Sequence, residues 1–277
     1  MQIAEHIAAL QAEGDRLASI TEAAAPDAPV GSCPGWQLRD LIQHVGSVHR
    51  WATGFVAEER TDWVDLAEPD MLRAGPADDR LLAAWFREGH QRLVATLRNA
   101  DPEVSCATFL AAPSPLAFWA RRQAHETAIH RADAELAAGA APADVAPFPP
   151  GLAIDGIDEL IMGFARRASK RRLRADPPCW LAVHAQANPG APADGPDAPG
   201  GHQATDWLIR MGTDSAEVAC GPVPAGGPPD GHGCQLTGPP GALYLTLWNR
   251  AGADGLAQQG DPRALDVWRR QVTVRWS

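Results

Sequence analysis

Four long stretches in the first half of the chain repeat apolar positions at helical spacing, over about Gln2 to Ala24, Gln37 to Glu59, Asp78 to Asn99 and Pro115 to Ala138. Each is amphipathic and bounded by Pro- or Gly-containing segments, and together they predict a four-helix bundle. The run Ala138 to Gly151, with four prolines and two glycines, cannot continue a helix and reads as a linker. Beyond it the pattern predicts one helix, about Leu152 to Leu173, and then short alternating runs at Cys179 to Ala187, Asp206 to Met211, Ala216 to Cys220 and Cys234 to Thr237. Pro239 to Arg250 and Pro262 to Gln271 read as helices, and Val272 to Trp276 as a closing strand. The expected architecture is therefore α+β, with a helical bundle over residues 1–138, a linker over 139–151 and a smaller mixed α+β domain over 152–277. Two long loops, Asn188 to Gln203 and Gly221 to Gly233, hold few residues able to build a core, which suits either a mobile segment or a cover over a site.

Three polar residues interrupt the apolar stripes. In Arg121-Arg-Gln-Ala-His-Glu-Thr-Ala-Ile-His-Arg-Ala-Asp133, Glu126 and His130 lie one turn apart, flanked on the helical wheel by Phe118, Ile129 and Leu136 and by Leu116 and Ala134. Arg121, Arg131 and Glu135 fall on the opposite side. In Asp40-Leu-Ile-Gln-His44, His44 shares a face with Leu41, Val48, Trp51 and Phe55, whereas Arg39, Gln43, His49 and Arg50 face away. An unpaired buried carboxylate is costly, so Glu126 needs a partner or a metal, and Glu plus His at this spacing suits two ligands of one divalent ion. A single inward histidine is most simply a hydrogen-bonded core residue. Three inward polar groups favour a metal. The pattern is not H-E-x-x-H, because His125 and His130 are five apart and His125 falls at the edge of the stripe; it is not counted as a ligand.

Composition excludes several classes. The net charge of −10 argues against generic nucleic-acid binding, which needs clustered Lys and Arg on one surface. The one concentrated basic run, Arg166 to Arg174, is most simply a solvated helix end, with a phosphate or other anion contact the less favoured reading. Five cysteines, Cys33, Cys106, Cys179, Cys220 and Cys234, are odd in number and lack C-x-x-C pairing, so neither a disulfide framework nor a zinc finger is expected. Cys33, in the rigid turn Cys33-Pro-Gly-Trp36, has no base or cation beside it in sequence and reads as a packing residue. No leader opens the chain and no run is long and apolar enough to span a membrane, so a soluble cytoplasmic protein without membrane or nucleic-acid partners is expected.

Cys-Pro-Gly-Trp, then Asp-Leu-x-x-His, then Arg-Arg-x-x-x-Glu-x-x-x-His-Arg-x-Asp, followed by Leu245-Thr-Leu-Trp-Asn-Arg250 and Gly260-Asp-Pro262, resemble the mycothiol-dependent maleylpyruvate isomerase family over nearly the whole chain. The resemblance implies a DinB-like metal-binding four-helix bundle followed by a sterol-carrier-like α+β domain. It implies that His44, Glu126 and His130 ligate a divalent metal, usually Zn2+, with an open fourth position. There a low-molecular-weight thiol, mycothiol, would bind as thiolate and become a nucleophile at neutral pH. In the isomerase the thiolate adds to a conjugated cis double bond, the resulting single bond rotates, and elimination returns the trans isomer. Relatives with the same site transfer the thiol to other electrophiles. Other divalent metals, nickel or iron, accept the same ligands.

The same geometry gives Asp133 two roles on the inward face: accepting the second N–H of the His130 ring, or pairing with Arg122. Trp36, Trp51 and Trp119 are candidate substrate contacts, although bundle tryptophans are more often core. Gln37 stands where a Thr, Ser or Asp helix cap is usual. The family's C-terminal arginine, which holds a substrate carboxylate, has its best counterpart in Arg250; a simple interaction with a helix C-terminus fits that residue equally well. The leading expectation is thus a metal- and mycothiol-dependent enzyme acting on a small electrophile, by S-transfer or thiol exchange or by maleylpyruvate-type isomerisation. The competing reading is a metal-stabilised binding or regulatory module without catalysis, which would need a fourth protein ligand such as Asp133 or His125. A carrier of apolar ligands through the C-terminal domain rests on fold analogy alone.

Overall fold

A computed structural model describes residues 1–63, 75–169, 173–186, 206–223 and 232–273, and side chains within them except at 168 and 169. Two compact units divide between Ala146 and Pro147. The expected linker is thus shared between them: Pro142–Asp144 forms a single 3-10 turn in the first unit, and the next helix already begins at Pro150.

Among the described residues the first unit holds four α-helices, α1 (Ile3–Ala23), α2 (Leu38–Ala57), α3 (Leu82–Asn99) and α4 (Pro115–Ala137). Helix α3 is preceded by a 3-10 turn over Asp79–Leu81, started by Asp78. Helix α4 packs between α1 and α2, and α3 closes the bundle against α1 and α2 on the far diagonal. Ser114 starts α4 by accepting the Ala117 N–H at 3.2 Å, with Pro115 at the first helical position, where its missing N–H costs nothing. Asp40 accepts the Gln37 N–H at 2.9 Å, so the missing Ser or Thr cap of α2 is replaced by an acceptor one turn in.

Two faces expected to meet solvent do not. Arg131 is buried, because its Nε donates to Glu13 of α1 at 2.6 Å and its Nη1 to Glu135 and to the Ala146 carbonyl, each at 3.0 Å. The Ala146 N–H in turn donates to Glu135 at 2.8 Å, so the segment leaving α4 folds back over the side that the helical wheel leaves open. His49 is buried too, since α3 lays Phe86 and His90 against that side of α2. Small residues permit these approaches: a Cβ at Gly14 would collide with the His90 ring, and one at Gly46 with Trp85.

In the second unit, α5 starts at Pro150–Asp158, passes through a π-helical stretch at Glu159–Ala165 and ends at Arg166–Ser169. Arg166 and Arg167 of the basic run are exposed there. Among the described residues five strands follow: β1 (Cys179–Ala185), β2 (Asp206–Met211), β3 (Ala216–Cys220), β4 (Gly233–Gly238) and β5 (Ala257–Gly260), in the order β3-β2-β1-β4-β5. Only the β1–β4 pairing is parallel. Cys179, Leu181, Val183 and Ala185 alternate toward one face and are buried, as are Trp207, Ile209 and Met211 of β2. Helices α6 (Pro240–Leu247) and α7 (Arg263–Gln271) complete the unit. Strand β5 was not expected, since Ala-Gln-Gln-Gly is exposed throughout and carries no apolar alternation. It ends at Gly260, where φ is +89° and a Cβ would strike the Gly233 carbonyl. Val272 caps α7 and Thr273 is in no strand; residues 274–276 of the expected closing strand lie outside the described residues, as does most of the two long loops. Among the described residues no helix is long and apolar enough to cross a membrane.

Candidate metal centre

Inside the first unit α2 supplies His44, and α4 supplies Glu126 and His130 from successive turns. All three are buried, and one ligand atom from each lies within 4.8 Å of the other two. Glu126 Oε1 is 3.2 Å from His44 Nε2 and 3.2 Å from His130 Nε2. The imidazoles stand edge to face with ring centroids 5.3 Å apart. A tetrahedral ion with bonds of about 2.0–2.1 Å to N and O spaces its ligand atoms about 3.3 Å apart. The carboxylate oxygen lies at that spacing from each of the two ring nitrogens.

A second layer backs two of the three ligands, His130 and Glu126. His130 Nδ1 lies 2.9 Å from Asp133 Oδ2, and Asp133 Oδ1 accepts the Ser32 hydroxyl at 2.6 Å. Arg122, wholly buried, donates from Nη2 to the other oxygen of Glu126 at 2.7 Å. The structure therefore sets Asp133 behind His130 and Arg122 behind Glu126. Trp36 lies edge-on to His44 at 5.2 Å.

The same geometry sets the protons of the cluster. Both nitrogens of His130 face carboxylate oxygens, so without an ion both must be donors and the ring must be an imidazolium. Burial pushes its pKa down, but Glu126 and Asp133 outweigh burial and raise it to about 9. Burial pushes the Glu126 carboxyl up, and His130, with His44 and Arg122, more than reverses this and holds it well below the usual range. His44 is lowered, chiefly by burial against the opposing pull of Glu126. Its Nδ1 has no hydrogen-bond partner among the described residues. A divalent cation would take the place of the His130 Nε2 proton while Asp133 keeps the Nδ1–H, the usual arrangement behind a metal-bound imidazole.

The other candidate residues have contacts of their own. Trp51 and Trp119 are core: they meet edge to face at 5.1 Å, Phe55 stacks on Trp119, and Trp119 Nε1 donates to the Ala107 carbonyl at 3.2 Å. Trp63, 45% exposed, closes this cluster against Trp51 and Phe55. His125 packs edge-on to His6. Arg250, in the second unit, donates from Nη1 to the Trp248 carbonyl at 2.7 Å, at the end of α6. Cys106, Cys179 and Cys220 are raised by burial, and Cys234 to about 11, which leaves these four thiols protonated at neutral pH. The sequence reading missed Ser32, which sits in a loop where no periodicity operates; its adjacency to Cys33-Pro-Gly-Trp36 was the available signal.

A helical unit with an inward His, Glu, His set, followed by an α+β unit, defines the class. Residues 7–135 match the family model for the mycothiol maleylpyruvate isomerase N-terminal domain. Two solved structures share the fold. A crystal structure of a mutant of the mycothiol-dependent maleylpyruvate isomerase superposes with a TM-score of 0.60 at 13% identity, covering 94% of this chain and 93% of that one. A second crystal structure of that isomerase gives 0.58 at 14% identity, again covering 94% and 93%. No curated protein matches the chain.

Proposed function

We propose that the chain is a metal-dependent enzyme that uses mycothiol as a thiol cosubstrate on a small electrophile, either isomerising a maleylpyruvate-type cis double bond or transferring the thiol to another acceptor. The carrying observation is the convergence of His44 Nε2, Glu126 Oε1 and His130 Nε2, backed by Asp133 and Arg122. A divalent ion, zinc by this donor set, supplies when bound a Lewis acid that ionises a thiol at neutral pH. The chain's own residues do the rest: Asp133 holds the Nδ1 proton so that Nε2 offers its lone pair, and Arg122 holds one carboxylate oxygen so that the other points at both histidines. Trp36 walls one side of His44. The carboxylate-holding role proposed for Arg250 is tested by Arg250→Met, expected to raise KM for an anionic substrate and leave a neutral electrophile unaffected.

The solved neighbours support the isomerase arm by name, at an identity that carries only the fold. The non-catalytic alternative needs a fourth protein ligand. Among the described residues this cluster contains three, and Asp133 stands behind His130. Purified protein with zinc and mycothiol would be given maleylpyruvate, and separately monochlorobimane. Isomerisation in the first assay establishes that arm; conjugation in the second alone leaves thiol transfer; no thiol turnover in either contradicts the enzyme reading.

A further inference from the structure

The loop between α1 and α2 reaches the back of both candidate metal-binding histidines. It is a closed, well-bonded turn: the Val30 N–H donates to the Trp36 carbonyl at 2.9 Å, Cys33 N–H to Val30 at 3.0 Å, Trp36 N–H to Cys33 at 2.9 Å, and Leu38 N–H to Ala28 at 2.8 Å. Pro29 and Gln37 form a bridge at its mouth. Gly35 takes φ of +86°, which turns the chain sharply enough to bring Trp36 back against His44. On the other arm Ser32 presents its hydroxyl to Asp133 at 2.6 Å, a distance suited to an O–H donating to an ionised carboxylate.

Resting on the proposed metal site, we infer that Ser32 is a positioning residue that acts on His130 through Asp133. Asp133 takes two donors on separate oxygens, the Ser32 hydroxyl and the His130 Nδ1–H. With both in place the carboxylate plane has one orientation, and so has the imidazole in front of it. Without the hydroxyl, Asp133 Oδ1 loses that donor, and the His130 ring loses one of the constraints on its direction. Cys33 Sγ lies 3.9 Å from the Ser32 oxygen; the single hydroxyl proton is committed to the carboxylate, so the thiol can only donate toward that oxygen. The loop that begins the family's Cys-Pro-Gly-Trp motif therefore contributes polar support on one side of the site and an aromatic wall on the other.

The test compares wild type, Ser32→Ala and Ser32→Thr, each also combined with Asp133→Asn, using zinc affinity by chelator competition, the visible spectrum of the cobalt-substituted protein, and melting of the metal-free protein. Loss of an outer partner of a ligating histidine typically weakens metal binding about 10- to 100-fold. Ser32→Ala, one hydrogen bond further out, is expected to weaken zinc by up to about 10-fold and to alter the cobalt bands, Ser32→Thr to remain near wild type, and Ser32→Ala to add nothing once Asp133 is Asn. Zinc affinity and cobalt bands unchanged in Ser32→Ala overturn the inference and leave the metal site standing. So does equal weakening of zinc in the presence and absence of Asp133, or equal damage by Ala and Thr with a lowered melting point, either of which marks a purely structural loop residue. A wild-type protein that takes up no zinc overturns the metal site and this inference together.

Discussion

His130 stands between two carboxylates, and that placement decides what each neighbouring residue is for. Glu126 is balanced by Arg122 from behind and by His44 and His130 in front. Arg122→Met would leave a buried carboxylate short of its permanent cation, and breaking such a pair typically costs about 3–5 kcal/mol. Metal-free Arg122→Met is therefore expected to melt well below wild type, with added zinc recovering more stability in the variant than in wild type, read by calorimetry. Which side chains point inward was legible in sequence for His44, Glu126 and His130, because each sits in an apolar stripe. Which partner each one takes was not: helical spacing leaves Asp133 a choice, and the approach of Ser32 from a loop some hundred positions away in the chain has no local trace.

Helix α4 carries most of the chemistry and has almost no solvent face. Several of its buried polar residues are matched in pairs, Arg131 with Glu13 and Glu135, Thr127 with His49, Glu126 with Arg122. A single helical wheel assigned Arg131 to solvent because it cannot see the Ala146 segment returning over that side. Arg131→Met would remove the cation paired with buried Glu13, while Glu135 keeps Arg16 and the Ala146 N–H, and is expected to destabilise the protein by about 3–5 kcal/mol, measured by urea unfolding. Close approach of helices gives a second test. Gly14→Ala puts a methyl group into the His90 ring, and Gly46→Ala one into Trp85; overpacking of this kind costs about 1–3 kcal/mol, whereas Gly31→Ala, in open space, should leave the unfolding midpoint near wild type. The helices of the first unit and four of the five strands could be read from periodicity and turn residues. Strand β5 could not, because its pairing to β4 is made by backbone alone.

At the scale of the molecule, all three candidate ligands with Ser32, Arg122 and Asp133 lie in the Met1–Ala146 unit. The buried histidines there also shape its response to acid. His49 is held well below its ordinary pKa by burial, with His90, Arg50 and His44 pushing the same way and Glu126 against; His90 is lowered chiefly by burial. As pH falls through the ordinary histidine range, near 6.5, the unfolded chain protonates these rings while the folded chain does not. Their contribution is complete above that range and lost below it. His49→Gln should therefore flatten the fall of the urea midpoint on acidification in zinc-saturated protein; an unchanged slope would exclude His49 as a source. The central claim is that the inward His, Glu, His set holds a catalytic divalent ion. Its most direct test is metal content by plasma mass spectrometry on protein purified without a His tag, for wild type, His44→Ala and Glu126→Ala. About one equivalent of zinc in wild type, as a single site requires, and little in either variant is the predicted result. Folded wild type that stays free of metal after zinc is supplied would contradict it, leaving Glu126 as the partner of Arg122 and the two histidines and nothing more.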